Sequence, residues 1–269
     1  MKAKTKTKAL LMSLCAVLLV AASVLGTMAY LTDSKDVKNT FTVGNVAIKL
    51  DEAKVDENGN PVDKDGKVVD KTEAPRVTEN KYKLLPGHVY VKDPTVTVVA
   101  PSVESYVRMK VTFNNASELI KICTDPKYAD EVTGLENAFP EVRMLKFSTN
   151  SELFWISPLH PENGTFDMED GIDNPKYCIY DQKADTLTYI FYYADELGGT
   201  DTVTAADTDV VLPTLFDEIT LPDWVDGDQL AKLKDLKITV VAEAIQADGF
   251  DDADEAWAAF DAQMARTNG

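Results

Sequence analysis

The chain contains very few histidines and cysteines, the side chains that most often bind transition metals and that supply the general base or the thiol in nucleophilic catalysis. Its 269 residues include only two histidines, His88 and His160, and three cysteines. These residues form neither a His-Glu-x-x-His motif nor a Cys-x-x-Cys motif, and the Gly-x-Ser-x-Gly turn of serine hydrolases is also absent. The sequence therefore predicts no catalytic residue, no metal site and no cofactor, and it favours a protein that is not an enzyme.

Positive charge is also scarce. The chain has 27 Lys and Arg against 45 Asp and Glu, which gives a formal net charge of −18 at pH 7. Nucleic acids and anionic membranes select basic surfaces, so the composition excludes both as partners. Hydrophobic residues still make up 45% of the chain, and this is enough apolar material to build a packed core rather than a disordered chain.

A long apolar run occurs once, at the N-terminus. Four lysines at positions 2, 4, 6 and 8 precede an apolar stretch from Ala9 to about Leu25, and small residues follow at Thr27 and Ala29. This order is typical of a secretory signal peptide over residues 1–29. We predict cleavage between Ala29 and Tyr30, secretion, and no membrane span in the mature protein. An uncleaved membrane anchor is the alternative, although the stretch is shorter than the roughly 20 residues that cross a bilayer.

Two cysteines, Cys123 and Cys178, remain in the mature chain. An exported pair of this kind can form one disulfide. The alternative is two buried thiols without a bond, which is favoured because Cys is among the most buried residue types.

Alternating apolar residues indicate many short strands. Val107, Met109, Val111 and Phe113 place four apolar side chains on one face of a strand. Further strands are predicted at Thr95–Ala100, Val142–Ser148, Leu153–Ile156, Tyr177–Asp181, Thr186–Ala194, Val210–Leu212, Glu218–Leu221 and Leu236–Ala247. Short strands separated by turns predict an all-β fold, a jelly-roll-like antiparallel β-sandwich in a single domain over residues 30–269.

One predicted strand, Asn39–Leu50, follows closely on the signal peptide. Its apolar residues change phase across Gly44, where we predict a β-bulge. The residues concerned are Phe41 and Val43 on one side of Gly44, and Val46 and Ile48 on the other. A strand near a chain end can pair either within its own sandwich or with the edge of a neighbouring subunit.

Three segments interrupt the strand pattern. Residues 51–79 are strongly polar, which predicts an exposed loop or hairpin insertion. Helical spacing appears within Asn115–Asn137, with Asn115 or Ser117 as the predicted N-cap. A short C-terminal helix is predicted over about 253–265, because Asp252 and Glu255 resemble a capping box. The apolar stripe of this helix consists of Ala256, Trp257 and Phe260.

The polar segment also raises the question of calcium. Oxygen-bearing side chains recur from Asp56 to Asp65, as in a loop that binds a hard cation. The register of an EF-hand fails, however, because Pro61 falls where a glycine must turn and Lys67 falls at a ligand position. An acidic, calcium-responsive adhesion module therefore remains an alternative function, centred on this loop.

Three stretches of the sequence resemble the TasA and camelysin family of exported Gram-positive proteins. The first is Gly26–Glu52, with its Ala29–Tyr30 junction followed by Asn39-Thr40-Phe41 and Gly44-Asn45-Val46. The second is Leu85-Pro86-Gly87, and the third is the closing region Leu212–Phe250. Residues 115–206 match no part of the family pattern.

This resemblance implies a jelly-roll-like β-sandwich that a SipW-type signal peptidase processes and that reaches the cell surface or biofilm matrix. TasA-like members assemble into fibres, so the resemblance favours a secreted, non-enzymatic structural or cell-surface protein. The predicted assembly arm is Tyr30–Leu50, with Phe41, Val43, Gly44, Val46 and Ile48 as its interaction residues. The alternative is a camelysin-like metalloprotease that uses His88, His160 and nearby acids, although the chain lacks a zinc-binding helix motif.

Overall fold

The computed structural model describes residues 32–35, 46–125, 140–147, 154–156, 176–194, 201–233 and 235–267. The strands are β1 (Thr32–Lys35), β2 (Ala47–Ala53), β3 (Arg76–Val77), β4 (Val89–Val91), β5 (Thr95–Val99), β6 (Ser102–Asn114), β7 (Leu145–Lys146), β8 (Trp155–Ile156), β9 (Cys178–Asp181), β10 (Thr186–Tyr193), β11 (Thr202–Ala205), β12 (Val210–Val211), β13 (Glu218–Thr220) and β14 (Ile238–Gln246). The helices are α1 (Ala116–Cys123), α2 (Pro140–Met144), α3 (Gly227–Lys232) and α4 (Ala253–Thr267), with a 3-10 turn at Lys71–Glu73.

The strands form three antiparallel sheets. The largest has seven strands in the order β1-β14-β6-β10-β8, with β11 joined to β6 and β9 joined to β10. A four-stranded sheet has the order β12-β5-β2-β3, and a three-stranded sheet has the order β4-β13-β7. The prediction of an all-β, sandwich-like fold with short helices is confirmed.

The main core lies between the seven-stranded and four-stranded sheets. On β6, the predicted apolar face of Val107, Met109, Val111 and Phe113 is buried, with each residue at most 1% exposed. These side chains belong to the same core cluster as residues of the opposing sheet, which are Val46, Ile48, Leu50, Val96 and Val98. Period-2 alternation on β6 therefore produces one face of the sandwich.

Helix α4 covers the opposite face of the seven-stranded sheet. Trp257 and Phe260 pack there against Ile190, Tyr192 and Ile245 in a second core cluster. The Asp252 side chain accepts the Glu255 N–H at 2.9 Å, and the Glu255 carboxylate accepts the Asp251 N–H at 2.8 Å. The predicted C-terminal helix and its capping residues are confirmed, and the helix extends to Thr267.

Asn115, one of the two predicted N-caps, occupies the N-cap position of α1, but it does not cap the helix with its side chain. Asn115 has a positive φ of 53°, and its side chain makes no capping hydrogen bond. The cap comes instead from Asp185, whose carboxylate accepts the Ser117 N–H at 2.8 Å and whose carbonyl accepts the Ala116 N–H at 3.2 Å. A residue distant in sequence therefore accepts the hydrogen bonds that the side chain of Asn115 or Ser117 was expected to accept.

Two other assignments differ from the sequence prediction. The strand predicted at Val142–Ser148 begins inside α2, and within its described part, residues 142–147, the strand is limited to Leu145–Lys146. The polar segment is not an exposed loop at its start, since β2 continues through Asp51, Glu52 and Ala53, all of which are buried.

Beyond β2, the polar segment forms two successive hairpin turns, as the hairpin alternative predicted. Bridges join Val55 to Pro61 and Val62 to Val68. The Asp56 carboxylate accepts the N–H groups of Asn58 and Asn60, and the Asp63 carboxylate accepts those of Asp65 and Lys67, all at 2.9 Å. These bonds form Asx-turns, which fix the backbone of each hairpin.

The two hairpin turns provide a matched pair of glycines. Gly59 and Gly66 have φ values of +77° and +83°, but a Cβ on Gly59 would lie 2.6 Å from Tyr90 Cα, whereas nothing lies within 4 Å of one on Gly66. Replacing Gly66 with Ala should lower the free energy of unfolding by roughly 1–2 kcal/mol through backbone strain alone. Gly59→Ala should cost clearly more, because the Tyr90 backbone must also move. Urea unfolding of both variants checks this, and equal losses would contradict the packing role of Gly59.

Candidate assembly edge and charged cleft

The outer edge of the seven-stranded sheet is the strand β1. It pairs antiparallel with β14 over four residues, in the register Thr32↔Ile245, Asp33↔Ala244, Ser34↔Glu243 and Lys35↔Ala242. On its other side β14 pairs with β6 along its whole length, from Ile238 to Gln246. The backbone of β14 is therefore held in place independently of β1.

A buried arginine on β6 strengthens this hold on β14. Arg108 is 0% exposed, and its Nε donates to Glu243 Oε2 of β14 at 2.6 Å. Both terminal nitrogens of the guanidinium bind the carboxylate of Asp261 on α4. The guanidinium also lies 4.2 Å from the ring centroid of Trp257. One cation therefore connects β6, β14 and α4.

The structure corrects part of the predicted assembly arm. Val46 and Ile48 are buried in the main core of the same chain. Strand β2, which contains Ile48, lies between β5 and β3 in the four-stranded sheet. This is the intramolecular alternative, since an internal strand cannot leave the sheet without exposing its core side chains. Phe41, Val43 and Gly44 lie outside the described residues, as do Ala29 and Tyr30 of the predicted cleavage site.

The two cysteines are buried and form no disulfide with each other. Cys123 lies at the end of α1, Cys178 opens β9, and both contribute to the main core. Burial raises the pKa of the Cys123 thiol to about 12. The alternative of two buried thiols describes the structure, because both side chains serve as small apolar core residues.

The other sequence candidates for metal binding are placed as follows. His88 is exposed, its Nε2 lies 2.8 Å from the Asn58 carbonyl oxygen, and its ring contacts that of Tyr90. His160 lies outside the described residues. Within the part of the chain that the structure describes, no three His, Cys, Asp or Glu side chains are close enough together to hold a metal ion.

A cleft of about 670 Å³ opens beside the end of β2. Its walls come from β2, from the segment that follows β3, and from the start of β14; they include Glu52, Asn80, Tyr82 and Lys92. Lys92 and Glu52 are buried, with Nζ 2.5 Å from Oε2. The wall of the cleft therefore includes an ion pair that water hardly reaches.

The Asn80 side chain binds the same carboxylate. Its Nδ2 donates to Glu52 Oε1 at 2.9 Å and to the Ala53 carbonyl at 2.8 Å. Its Oδ1 accepts the Val55 N–H at 2.9 Å. These three bonds fix the orientation of the Asn80 amide, because Nδ2 can only donate and Oδ1 can only accept.

A second arginine cluster lies next to this pair. Arg76 binds Asp51 through Nε at 2.7 Å and Asp93 through Nη1 at 2.6 Å. Its Nη2 also donates to the carbonyls of Asp51 and Asp93. Burial opposes the charged form of Arg76, but hydrogen bonds with the two carboxylates outweigh it and raise its pKa. The short strand β3 is thus joined to β2 and to the start of β5.

Two buried cations, Lys92 and Arg108, were not predicted from the sequence. Arg108 stands among apolar residues that alternate as in a half-buried strand, so its phase was expected to face solvent, and no strand was predicted around Lys92. A charged residue in the middle of a long strand could have indicated a buried ion pair, because Arg108 and Glu243 both occupy such positions.

Comparison of the chain with protein families, with characterised proteins and with solved structures finds no match. Among the described residues, no helix has the length and apolarity that crossing a membrane requires.

The role of Arg108 can be tested by removing its charge. Arg108→Met should lower the free energy of unfolding by about 3–5 kcal/mol, because Glu243 remains buried without its main partner. Lys110→Met is the matched control, since Lys110 binds the same carboxylate at 2.9 Å but its side chain is 24% exposed. The control should lose about 1 kcal/mol or less. Denaturant unfolding measures both, and similar losses would contradict the anchoring role of Arg108.

Proposed function

We propose that the protein is an exported, non-enzymatic structural or cell-surface protein whose copies assemble by exchange of strand β1. The observation that carries this proposal is the position of β1 at the outer edge of the seven-stranded sheet, where four residue pairs among the described residues join it to β14. A short edge strand of this kind is the element that a chain can give up most readily.

The geometry of β14 supports the exchange. If β1 leaves, the edge of β14 over Ala242–Ile245 presents unpaired N–H and C=O groups. The β1 strand of a second copy can restore the same pairing by β-strand addition. Because donor strand and acceptor edge are different surfaces of one chain, successive exchanges run head to tail and generate an open filament.

The sequence supports the same proposal from a different direction. Cleavage after Ala29 leaves Tyr30 and Leu31 before β1, so the donor strand stands close to the free end of the mature chain. The resemblance to the TasA and camelysin family adds secretion through a SipW-type signal peptidase and assembly in the biofilm matrix or at the cell surface. The proposed donor is narrower than the predicted arm, since it consists of Thr32–Lys35 alone.

Deletion of Thr32–Lys35 tests the proposal. The shortened chain should remain folded by circular dichroism, because both core clusters draw on other elements, but it should form no filaments by negative-stain electron microscopy. The intact exported chain should form filaments, and more readily as salt screens the repulsion between strongly acidic subunits.

Val211→Asp is the control for this deletion. Val211 lies on β12, at the edge of the other large sheet, and is 65% exposed. A charge there should leave filament formation intact. Filaments of unchanged abundance after deletion of Thr32–Lys35 would show that assembly uses another surface, and filaments lost only in the Val211 variant would point to β12.

A further inference from the structure

We propose that Lys92 and Asn80 become joined by an intramolecular amide bond, with Glu52 as the group that transfers the protons. The three side chains meet at the wall of the cleft beside β2. The product is an isopeptide crosslink between the Lys92 amine and the side-chain carbonyl carbon of Asn80. This modification goes beyond the proposed function and does not depend on it.

The first support is the way in which one carboxylate holds both reacting groups. Glu52 Oε2 is 2.5 Å from Lys92 Nζ, and Glu52 Oε1 is 2.9 Å from Asn80 Nδ2. The nucleophile and the leaving nitrogen therefore lie on the two oxygens of a single proton carrier. Holding reacting groups together in this way converts a slow bimolecular aminolysis into an intramolecular one.

The second support is the exclusion of water. Lys92 is 7% exposed and Glu52 is 6% exposed. The ring of Tyr82 covers the amine, with Nζ 5.8 Å from the ring centroid. Burial, and next the charge of Glu52, raise the pKa of the Tyr82 phenol. The amine and the carboxylate therefore face each other with little competing water.

The third support is the environment of the Asn80 carbonyl. Its oxygen accepts the Val55 N–H at 2.9 Å. Negative charge develops on this oxygen when an amine attacks the carbonyl carbon, and a fixed backbone N–H stabilises that charge. The Ala53 carbonyl, 2.8 Å from Nδ2, keeps the leaving nitrogen turned away from Val55.

The reaction balances without any further reactant. A proton moves from Lys92 Nζ to Glu52, and the neutral amine attacks the side-chain carbonyl carbon of Asn80. Glu52 gives its proton to Nδ2, the C–Nδ2 bond breaks, and ammonia leaves through the open cleft. The second proton lost by the Lys92 nitrogen passes through Glu52 to the released ammonia, so ammonium departs and Glu52 ends as the carboxylate that it was at the start. No oxidant, metal or cofactor takes part.

A second lysine–glutamate contact, that of Lys110 with Glu243, shows why the third group matters. Lys110 binds Glu243 at 2.9 Å, but the other group on that carboxylate is the guanidinium of Arg108. A guanidinium offers no carbonyl carbon for attack. Formation of the amide bond therefore requires that a side-chain amide binds the second oxygen of the carboxylate, as Asn80 binds Glu52 Oε1.

Tryptic digestion of the folded, then denatured, full chain tests the proposal. Without the bond, the digest contains three separate peptides, 77–81, 84–92 and 93–108, which follow from the positions of Lys and Arg. With the bond, trypsin cannot cut after Lys92, so peptide 77–81 is joined to peptide 84–108, and the pair is lighter by one ammonia, about 17 Da. Tandem mass spectrometry should place the junction between Asn80 and Lys92. Separate peptides in full yield would overturn the proposal.

Variants distinguish the isopeptide bond from other reactions that release ammonia. Lys92→Met and Glu52→Gln should both abolish the linked peptide, whereas Lys81→Arg, at the same cleft, should retain it. Cyclisation of an asparagine to a succinimide also releases ammonia, but it does not require Lys92 and joins no second peptide. A linked peptide that persists in Glu52→Gln would overturn the role of Glu52. The linked peptide is detected in the same way in monomer and filament, so its absence would overturn the isopeptide bond without bearing on strand exchange.

Discussion

The buried guanidinium of Arg108 is the interaction on which the rest of the seven-stranded sheet depends. It neutralises Glu243 on β14 and binds Asp261 on α4, and it lies against Trp257. A cation removed from water in this way is stable only when its donors are satisfied, so the positions of strand and helix are coupled. The backbone of β14 is therefore held in place whether or not β1 pairs with its outer edge.

The same principle recurs at the other large sheet. Arg76 binds Asp51 and Asp93, and Lys92 binds Glu52, at the point where β2, β3 and the start of β5 meet. In a chain with 45 acidic and 27 basic residues, burying some carboxylates against cations removes them from the mutual repulsion of the surface. Buried ion pairs also require one geometry, and this geometry places Asn80 and the Lys92 amine on the two oxygens of one carboxylate.

Periodicity in the sequence was sufficient to predict the elements that bury one regular apolar face. The alternating face of β6 and the apolar stripe of α4 have the predicted positions, because each packs against one apolar surface. Periodicity failed for Arg108, because α4 covers the face that the polar phase of β6 was expected to expose to water. It also failed for β1, whose sequence Thr-Asp-Ser-Lys has no apolar residue; its pairing with β14 identifies it as a strand.

The candidate assembly site shows the same limit. The pattern of Asn39–Leu50 correctly indicated a strand at its C-terminal end, but alternation does not determine which sheet a strand joins. Ile48 is 1% exposed within its own core, so β2 is an internal element. The strand that we propose to exchange, β1, precedes it, and its pairing with β14 is seen only in the structure.

Crosslinking between two cysteine variants tests strand exchange most directly. Asp33 and Ala244 are register partners, so a chain carrying Asp33→Cys is mixed with a chain carrying Ala244→Cys under mild oxidation. Neither chain can form this disulfide alone. The expected result is a covalent dimer that appears during assembly and is absent when Asp33→Cys is mixed with Val211→Cys. Assembly without the Asp33–Ala244 crosslink would contradict the account.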